Sequence, residues 1–84
     1  SQWFISKEIF PEESVNDYQL RNLLKESLKQ LDEKESLVIQ LYFVEELNIY
    51  EISEILEVST GRVSQIKTNA IKKIRSIIKN ELDQ

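Results

Sequence analysis

Two short helical patterns separated by a narrow break run from Asn48 to Arg75, and this arrangement constrains the fold more than any other part of the chain. The first pattern repeats three apolar residues at the spacing of one helix face: Ile52, Ile55 and Leu56. The second follows Ser59 and places five apolar residues in a narrow arc at about 100° per residue: Val63, Ile66, Ala70, Ile74 and Ile77. Two amphipathic helices joined by a tight break predict a helix-turn-helix.

The polar side of the second helix has a composition that suits a DNA groove. Four residues lie opposite the apolar arc: Gly61, Gln65, Thr68 and Lys72. Others flank them, with Ser64 and Arg75 on one edge and Arg62, Asn69 and Lys73 on the other. An amide can pair with adenine, hydroxyls and cations can reach phosphates, and glycine allows close backbone approach. Every soluble helix has a polar outer face, so a face that is merely solvated is the alternative.

Composition limits the fold and the chemistry. With 84 residues, 40% of them hydrophobic, and a single Gly and a single Pro, the chain predicts one small all-α domain. The lack of Cys and His excludes disulfides, thiol chemistry, zinc fingers and the usual His-based catalysis. We therefore expect no enzyme, no cofactor and no metal site. No apolar run reaches the length of a membrane span and none resembles a signal peptide, so a cytoplasmic location is expected.

Charge is distributed unevenly along the chain. The net charge is −4 overall, yet residues 1–59 carry −8 and residues 60–84 carry +4. The basic end coincides with the second helix of the predicted unit, as an electrostatic footprint for DNA requires. If about three or four cations meet phosphates, the salt slope of DNA binding should be about −3 to −4 and binding by this domain alone should be weak.

Two more helices are predicted upstream. Leucines at helical spacing indicate a helix over 15–31, and Asp32 with Glu35 forms a capping box for a helix that extends to about residue 46. This helix is apolar nearly all round, so it either lies centrally or offers a groove to a partner helix. The candidate partner-binding residues on it are Leu37, Ile39, Tyr42 and Phe43. The sequence thus predicts a small four-helix domain over 15–84, with residues 1–14 as a linker tail from an upstream domain.

Several segments together resemble the C-terminal promoter-binding domain, region 4, of bacterial sigma factors. The matching segments are residues 31–43, Glu45-Glu46-Leu47-Asn48, Glu51-Ile52-Ser53, Leu56-Glu57-Val58-Ser59, Arg62-Val63-Ser64-Gln65-Ile66 and residues 70–75. The aromatic pair before Glu45-Glu46-Leu47-Asn48, together with Arg62-Val63-Ser64-Gln65, is similar to the alternative sigma factors of the flagellar and motility class.

The resemblance implies a subunit that joins core RNA polymerase and reads the minus-35 promoter element through the last helix. It implies base-facing positions at Thr60, Gly61, Ser64 and Gln65, with DNA-backbone contacts from Arg62, Lys72, Lys73 and Arg75. Primary sigma factors typically carry Arg, Glu and Arg where this chain has Thr60, Gly61 and Ser64, so a different promoter sequence is implied. The resemblance also implies binding of the upstream helices to the polymerase beta-flap and control by an anti-sigma factor.

Two other classes remain open at this point. A response-regulator output domain shares the helical outline but usually marks its recognition helix with a Thr-Val-Lys-x-His pattern, and this chain has no His. A protein-interaction module could retain the helix-turn-helix without binding DNA, as the acidic total would permit.

Overall fold

The structure is a computed structural model that describes residues 17–82. Four α-helices follow one another: α1 (Asp17–Leu28), α2 (Glu33–Ile39), α3 (Ile49–Leu56) and α4 (Thr60–Leu82). A π-helical turn, Gln40–Val44, continues α2. The all-α, four-helix prediction is confirmed, whereas the predicted linker tail over 1–14 lies outside the described residues. The first helix ends at Leu28, three residues before the predicted end.

Side-chain caps begin three of the helices, at Asp32 as predicted and at Asn48 and Ser59. The Asp32 side chain accepts from the Glu35 amide at 2.8 Å, and the Glu35 carboxylate accepts from the Asp32 amide at 3.2 Å. Asn48 and Glu51 form the same reciprocal pair at 2.9 and 3.0 Å. Ser59 Oγ accepts from the Arg62 amide at 3.1 Å at the start of α4. Each cap satisfies amides that have no partner within the helix, so these short sequence signals fix where the helices begin.

Two residues with left-handed backbone close the helices that precede α3 and α4. Glu46, at φ 58°, follows the π-helical turn, in which the Glu45 amide reaches back to the Gln40 carbonyl at 3.1 Å. Glu57, at φ 56°, ends α3, and the next amide, of Val58, donates to the Ser53 carbonyl at 3.1 Å. This is a Schellman-type ending, which usually employs glycine. It produces the tight break between α3 and α4.

The core consists of two apolar clusters on different faces of α2. One joins α1, the α2 segment and the C-terminal half of α4 through seven buried residues: Leu24, Leu31, Ile39, Phe43, Ala70, Ile74 and Ile78. The other joins α2, α3 and the start of α4 through Val38, Ile52, Val63 and Ile66, and Tyr42 packs against both clusters. The central position of the second helix, one of the two predicted outcomes, is therefore observed.

Two details of the predicted apolar faces were wrong. Ile78 is fully buried while Ile77 is only half-buried, because the far half of α4 also packs against α1 and its buried side turns toward that helix. Ile55 is exposed, because α3 packs through Ile49, Ile52 and Leu56 instead. Within residues 17–82, no helix combines the length and the apolar character needed to cross a membrane.

Candidate nucleic-acid interface

The helix-turn-helix unit presents the N-terminal half of α4 on a rigid support. Val63 and Ile66 are buried against Val38 and Ile52, so the start of α4 is held by both α2 and α3. The helix continues for 23 residues, well past the unit. Burial of one side fixes which side faces outward, and the outward side begins at the cap residue Ser59.

The structure brings the predicted DNA-binding residues together on that outward side. At about 100° per residue, Lys72 lies about 20° from Gln65 around the helix, and Arg62 and Thr68 lie about 60° from it. Six members of the predicted set are exposed: Gly61, Arg62, Gln65, Thr68, Lys72 and Lys73. The other three are half-buried: Thr60, Ser64 and Arg75. Every residue of the set is therefore at least partly accessible.

Arg62 and Gln65 form a unit on this surface. Arg62 Nη1 donates to Gln65 Oε1 at 3.0 Å, one helical turn apart. The amide oxygen keeps a second lone pair and Nε2 keeps its two hydrogens, so Gln65 can still present one acceptor and donors to a base edge. Helical spacing placed both residues on the same side, but only the side-chain conformations reveal the bond.

Gly61 leaves the backbone open at the start of the interface. Apart from its chain neighbours and its own helix backbone, a Cβ atom built at this position would meet only Ser59 Oγ, at 3.9 Å, among the atoms of residues 17–82. The packing of the domain therefore does not require glycine here, and the absence of a side chain exposes the first turn of α4 to whatever lies against it.

Lys67 was not in the predicted set and turns toward the core. Its Nζ lies 4.1 Å from the centroid of the Tyr42 ring, the residue that contacts both clusters. A cation over an aromatic face is a stabilising contact of about 0.5–2 kcal/mol. Lys67 is half-buried, and its contact with Tyr42 links α4 to the π-helical turn that continues α2.

Lys73 belongs to the predicted set, yet its ammonium has a partner inside the domain. Nζ lies 2.9 Å from Glu35 Oε1, and the side chain is 53% exposed. The hydrogen bond with Glu35, and the negative charges of Glu35 and Asp32, raise the pKa of Lys73 above its ordinary value. The two partners are 38 residues apart, which explains why no local pattern predicts the pair.

The predicted partner-binding residues do not share one surface. Leu37 is 41% exposed and Tyr42 is half-buried, whereas Ile39 and Phe43 retain 1% and 6% of their exposure within the core. Three other apolar residues of α2 and its π-helical continuation are exposed or half-buried, and we term them the α2 stripe: Leu37, Leu41 and Val44.

A tight two-helix unit, a long second helix with a polar face and a basic end together define a helix-turn-helix domain of the DNA-binding class. The sequence model of sigma-70 region 4 matches residues 27–76. The chain belongs to the sigma-70 region 4 family, which is a DNA-binding and non-enzymatic family. This confirms the resemblance predicted from the sequence and favours it over the response-regulator and interaction-module alternatives.

Curated relatives agree with the predicted flagellar class. The chain is 44% identical over 66 residues to RNA polymerase sigma factor FliA of Escherichia coli K12, covering 79% of this chain and 28% of that protein. It is 39% identical over 72 residues to RNA polymerase sigma-D factor of Bacillus subtilis 168, covering 86% and 28%. Against FliA of Pseudomonas aeruginosa PAO1, identity is 38% over 66 residues, covering 79% and 27%. The chain thus spans little more than a quarter of the length of these relatives, and no solved structure matches it significantly.

Proposed function

We propose that this chain is the promoter-recognition domain of an RNA polymerase sigma factor and that it reads the minus-35 element with the outward face of α4. The observation that carries the proposal is the gathering of the predicted polar residues on one accessible face of α4, in a chain of the sigma-70 region 4 family. The relatives are named RNA polymerase sigma factors. Because promoter DNA lies in the bacterial cytoplasm, the proposed function also implies a cytoplasmic location for the protein.

The roles divide between base edges and phosphates. Thr60, Gly61, Ser64 and Gln65 occupy the first turns of α4, where a recognition helix enters the major groove. Gln65 is the base reader with the clearest chemistry, because a glutamine amide pairs bidentately with adenine and such a pair is worth about 1–3 kcal/mol of discrimination.

Phosphate contacts come from the flanks of the same face. Their residues are Arg62, Thr68, Lys72 and Arg75, which supply cations and one hydroxyl. Contacts of this kind fix the register on the duplex without carrying sequence information. Gln65 favours an element that contains A/T pairs. This element should differ from that of primary sigma factors, because this chain lacks their Arg, Glu and Arg side chains on the same helix.

The second proposed contact is with the beta-flap of core RNA polymerase, through the α2 stripe. Leu37 and Val44 are 41% and 66% exposed, so a helix of the flap could bury them, while Ile39 and Phe43 hold the stripe in place from the core side. We extend the same surface to an anti-sigma factor of the flagellar class, since an exposed apolar stripe suits a partner helix.

The experiment that tests the first proposal is selection from a randomised duplex pool at low salt, with this chain as bait, followed by sequencing of the retained DNA. Enrichment of a short A/T-containing element is expected. Gln65→Ala should lose preference at one base pair, and Gln30→Ala, the same chemical change at an exposed position in the α1–α2 connection, should not.

A second arm measures binding of the same variants to the isolated beta-flap. Flap binding without any DNA enrichment would replace promoter reading by the interaction-module alternative. Enrichment that survives Gln65→Ala unchanged would remove this residue from the base-reading set.

A further inference from the structure

We infer that Lys73 is a positioning residue, which sets the orientation of the recognition helix through Glu35 and does not neutralise a DNA phosphate. The inference rests on the proposed function, because it assigns a role in reading DNA to an ion pair inside the domain. It replaces the phosphate contact that the resemblance implied for this lysine.

Glu35 links two elements with a single oxygen atom. Its Oε1 accepts from the Asp32 amide at 3.2 Å and from Lys73 Nζ at 2.9 Å. The first bond belongs to the capping box of α2, and the second reaches across to α4. The start of α2 and the middle of the recognition helix are thereby joined through one carboxylate.

Burial makes this carboxylate depend on its cation. The Glu35 side chain is only 8% exposed, and a buried carboxylate is costly unless a charge and hydrogen bonds compensate it. Within residues 17–82, no buried side-chain nitrogen or oxygen lacks a hydrogen-bond partner. Moving Lys73 outward to a phosphate would remove the cation that compensates Glu35.

The ion pair restrains the orientation of α4 relative to α2 in a way that the apolar contacts do not. Ala70 and Ile74, three residues before Lys73 and one residue after it, belong to the first cluster, but hydrophobic contact is non-directional and tolerates small shifts. Burial of the apolar side therefore fixes which side of α4 faces outward, but small rotations and slides of the helix are left to directional contacts. A bond of fixed length from Lys73 to Glu35 opposes both changes, and so holds Gln65 at one angle to the DNA.

The position of Lys73 around the helix agrees with this role. Lys72 lies about 20° from Gln65, whereas Lys73 lies about 80° from it, on the side where its Nζ reaches Glu35 of α2 at 2.9 Å. These neighbouring lysines carry the same charge at almost the same height on α4, so they form a matched pair for testing the two roles.

The test measures the dissociation constant at several salt concentrations, for the duplex enriched in the pool selection and for a scrambled duplex of the same composition. Four variants of the chain are compared: Lys72→Met, Lys73→Met, Lys73→Arg and the double variant Glu35→Gln/Lys73→Met. The double variant removes both charges together, so no buried carboxylate is left without a partner if Lys73→Met fails to fold. Circular dichroism checks the fold of each.

A positioning role predicts that the double variant keeps the wild-type salt slope while its preference for the enriched duplex falls about fivefold or more, within the discrimination that one base-reading pair supplies. Lys73→Arg should keep both slope and preference, because it keeps the pairing charge. Lys72→Met should reduce the slope by about one and leave the preference intact. A change confined to the melting temperature, with slope and preference unchanged in the folded double variant, would reduce the pair to a stabilising contact and overturn the inference.

A slope reduced by about one in the folded double variant would likewise overturn the inference, because it would show that Lys73 meets a phosphate. Failure of the proposed function has a different signature. In that case the wild-type chain itself would show no preference between the two duplexes, and the inference would fall with it.

Discussion

At the residue scale, Arg62 and Gln65 illustrate how one side chain can prepare another for recognition. The bond from Arg62 Nη1 to Gln65 Oε1 restricts an exposed amide that would otherwise sample several rotamers. An amide held near its binding conformation loses less entropy when it meets a base. Arg62 should therefore contribute to base discrimination as well as to phosphate binding.

This coupling is measurable by a double-mutant cycle. We expect Arg62→Ala and Gln65→Ala to be non-additive in the free energy of DNA binding, by about 0.5 kcal/mol or more. The control cycle pairs Arg62→Ala with Lys72→Ala, whose positions are about 15 Å apart along the helix and should be additive. Additivity in both cycles would show that the Arg62–Gln65 bond does not persist on DNA.

Glu57 provides a second prediction at this scale. Its φ of 56° is costly for a residue with a Cβ, and glycine adopts it freely. Glu57→Gly should raise the free energy of unfolding by about 0.5–1 kcal/mol in urea denaturation, after allowance for the greater freedom of the unfolded chain. Glu54→Gly, inside α3 and also exposed, should lower it by about 1 kcal/mol. A loss of stability in both variants would contradict the strain at Glu57.

At the scale of elements, the helix starts were predictable and the helix ends were less so. Each N-cap side chain bonds to the amide only three residues further along the chain, so the signal for a helix start is local. The three N-cap residues are Asp32, Asn48 and Ser59. The π-helical turn and the left-handed Glu46 and Glu57 were not predictable, because no glycine or proline marks them in the sequence. The candidate site was predictable to the extent that it follows from helical periodicity. The Lys73–Glu35 and Arg62–Gln65 bonds were not, because they depend on tertiary contacts and rotamers.

Gly61 should affect both the stability of α4 and its proposed contact with DNA, in opposite directions. Since a Cβ would meet Ser59 Oγ only at an ordinary van der Waals distance of 3.9 Å, Gly61→Ala should stabilise the domain by about 0.4–1 kcal/mol in urea denaturation. The same change should weaken binding to the enriched duplex, because the added methyl group would stand between the backbone and the groove. Ser76→Ala, an exposed substitution further along α4, serves as the control for binding. Unchanged DNA affinity for Gly61→Ala would place the first turn away from the base edges.

At the scale of the whole molecule, the stability of the domain at alkaline pH should report on the Lys73–Glu35 bond between α4 and α2. The pKa of Lys73 is raised in the folded state by its bond to Glu35, so the ammonium favours folding. That contribution is complete below the pKa of an unfolded lysine, about 10.4, and is lost as pH rises through the higher folded-state pKa. The wild type should lose its stability advantage over Glu35→Gln/Lys73→Met on going from about pH 9 to pH 12. The urea midpoints of both proteins, compared at each pH, measure this, and a constant difference would refute the linkage.

The uneven distribution of charge limits how many phosphate contacts this domain can make with DNA. Residues 1–59 carry −8 and would repel a duplex, while residues 60–84 carry +4 and include α4, the proposed recognition helix. Two lysines of α4 are directed at the domain itself, Lys67 over Tyr42 and Lys73 onto Glu35. The proposed phosphate contacts are then those of Arg62, Lys72 and Arg75.

Three phosphate contacts predict a salt slope of about −3 for the wild-type chain, at the shallow end of the range expected from sequence. Affinity should therefore change by about thirtyfold for each threefold change in salt, far less than for a protein with ten contacts. Titrations of the enriched duplex at several NaCl concentrations measure the slope. A slope near −5 would require Lys67 and Lys73 to leave their internal partners on DNA, whereas a slope near −3 would mean that the acidic body of the domain keeps them. The second result would agree with weak DNA binding by this domain alone, because so few phosphate contacts contribute to it.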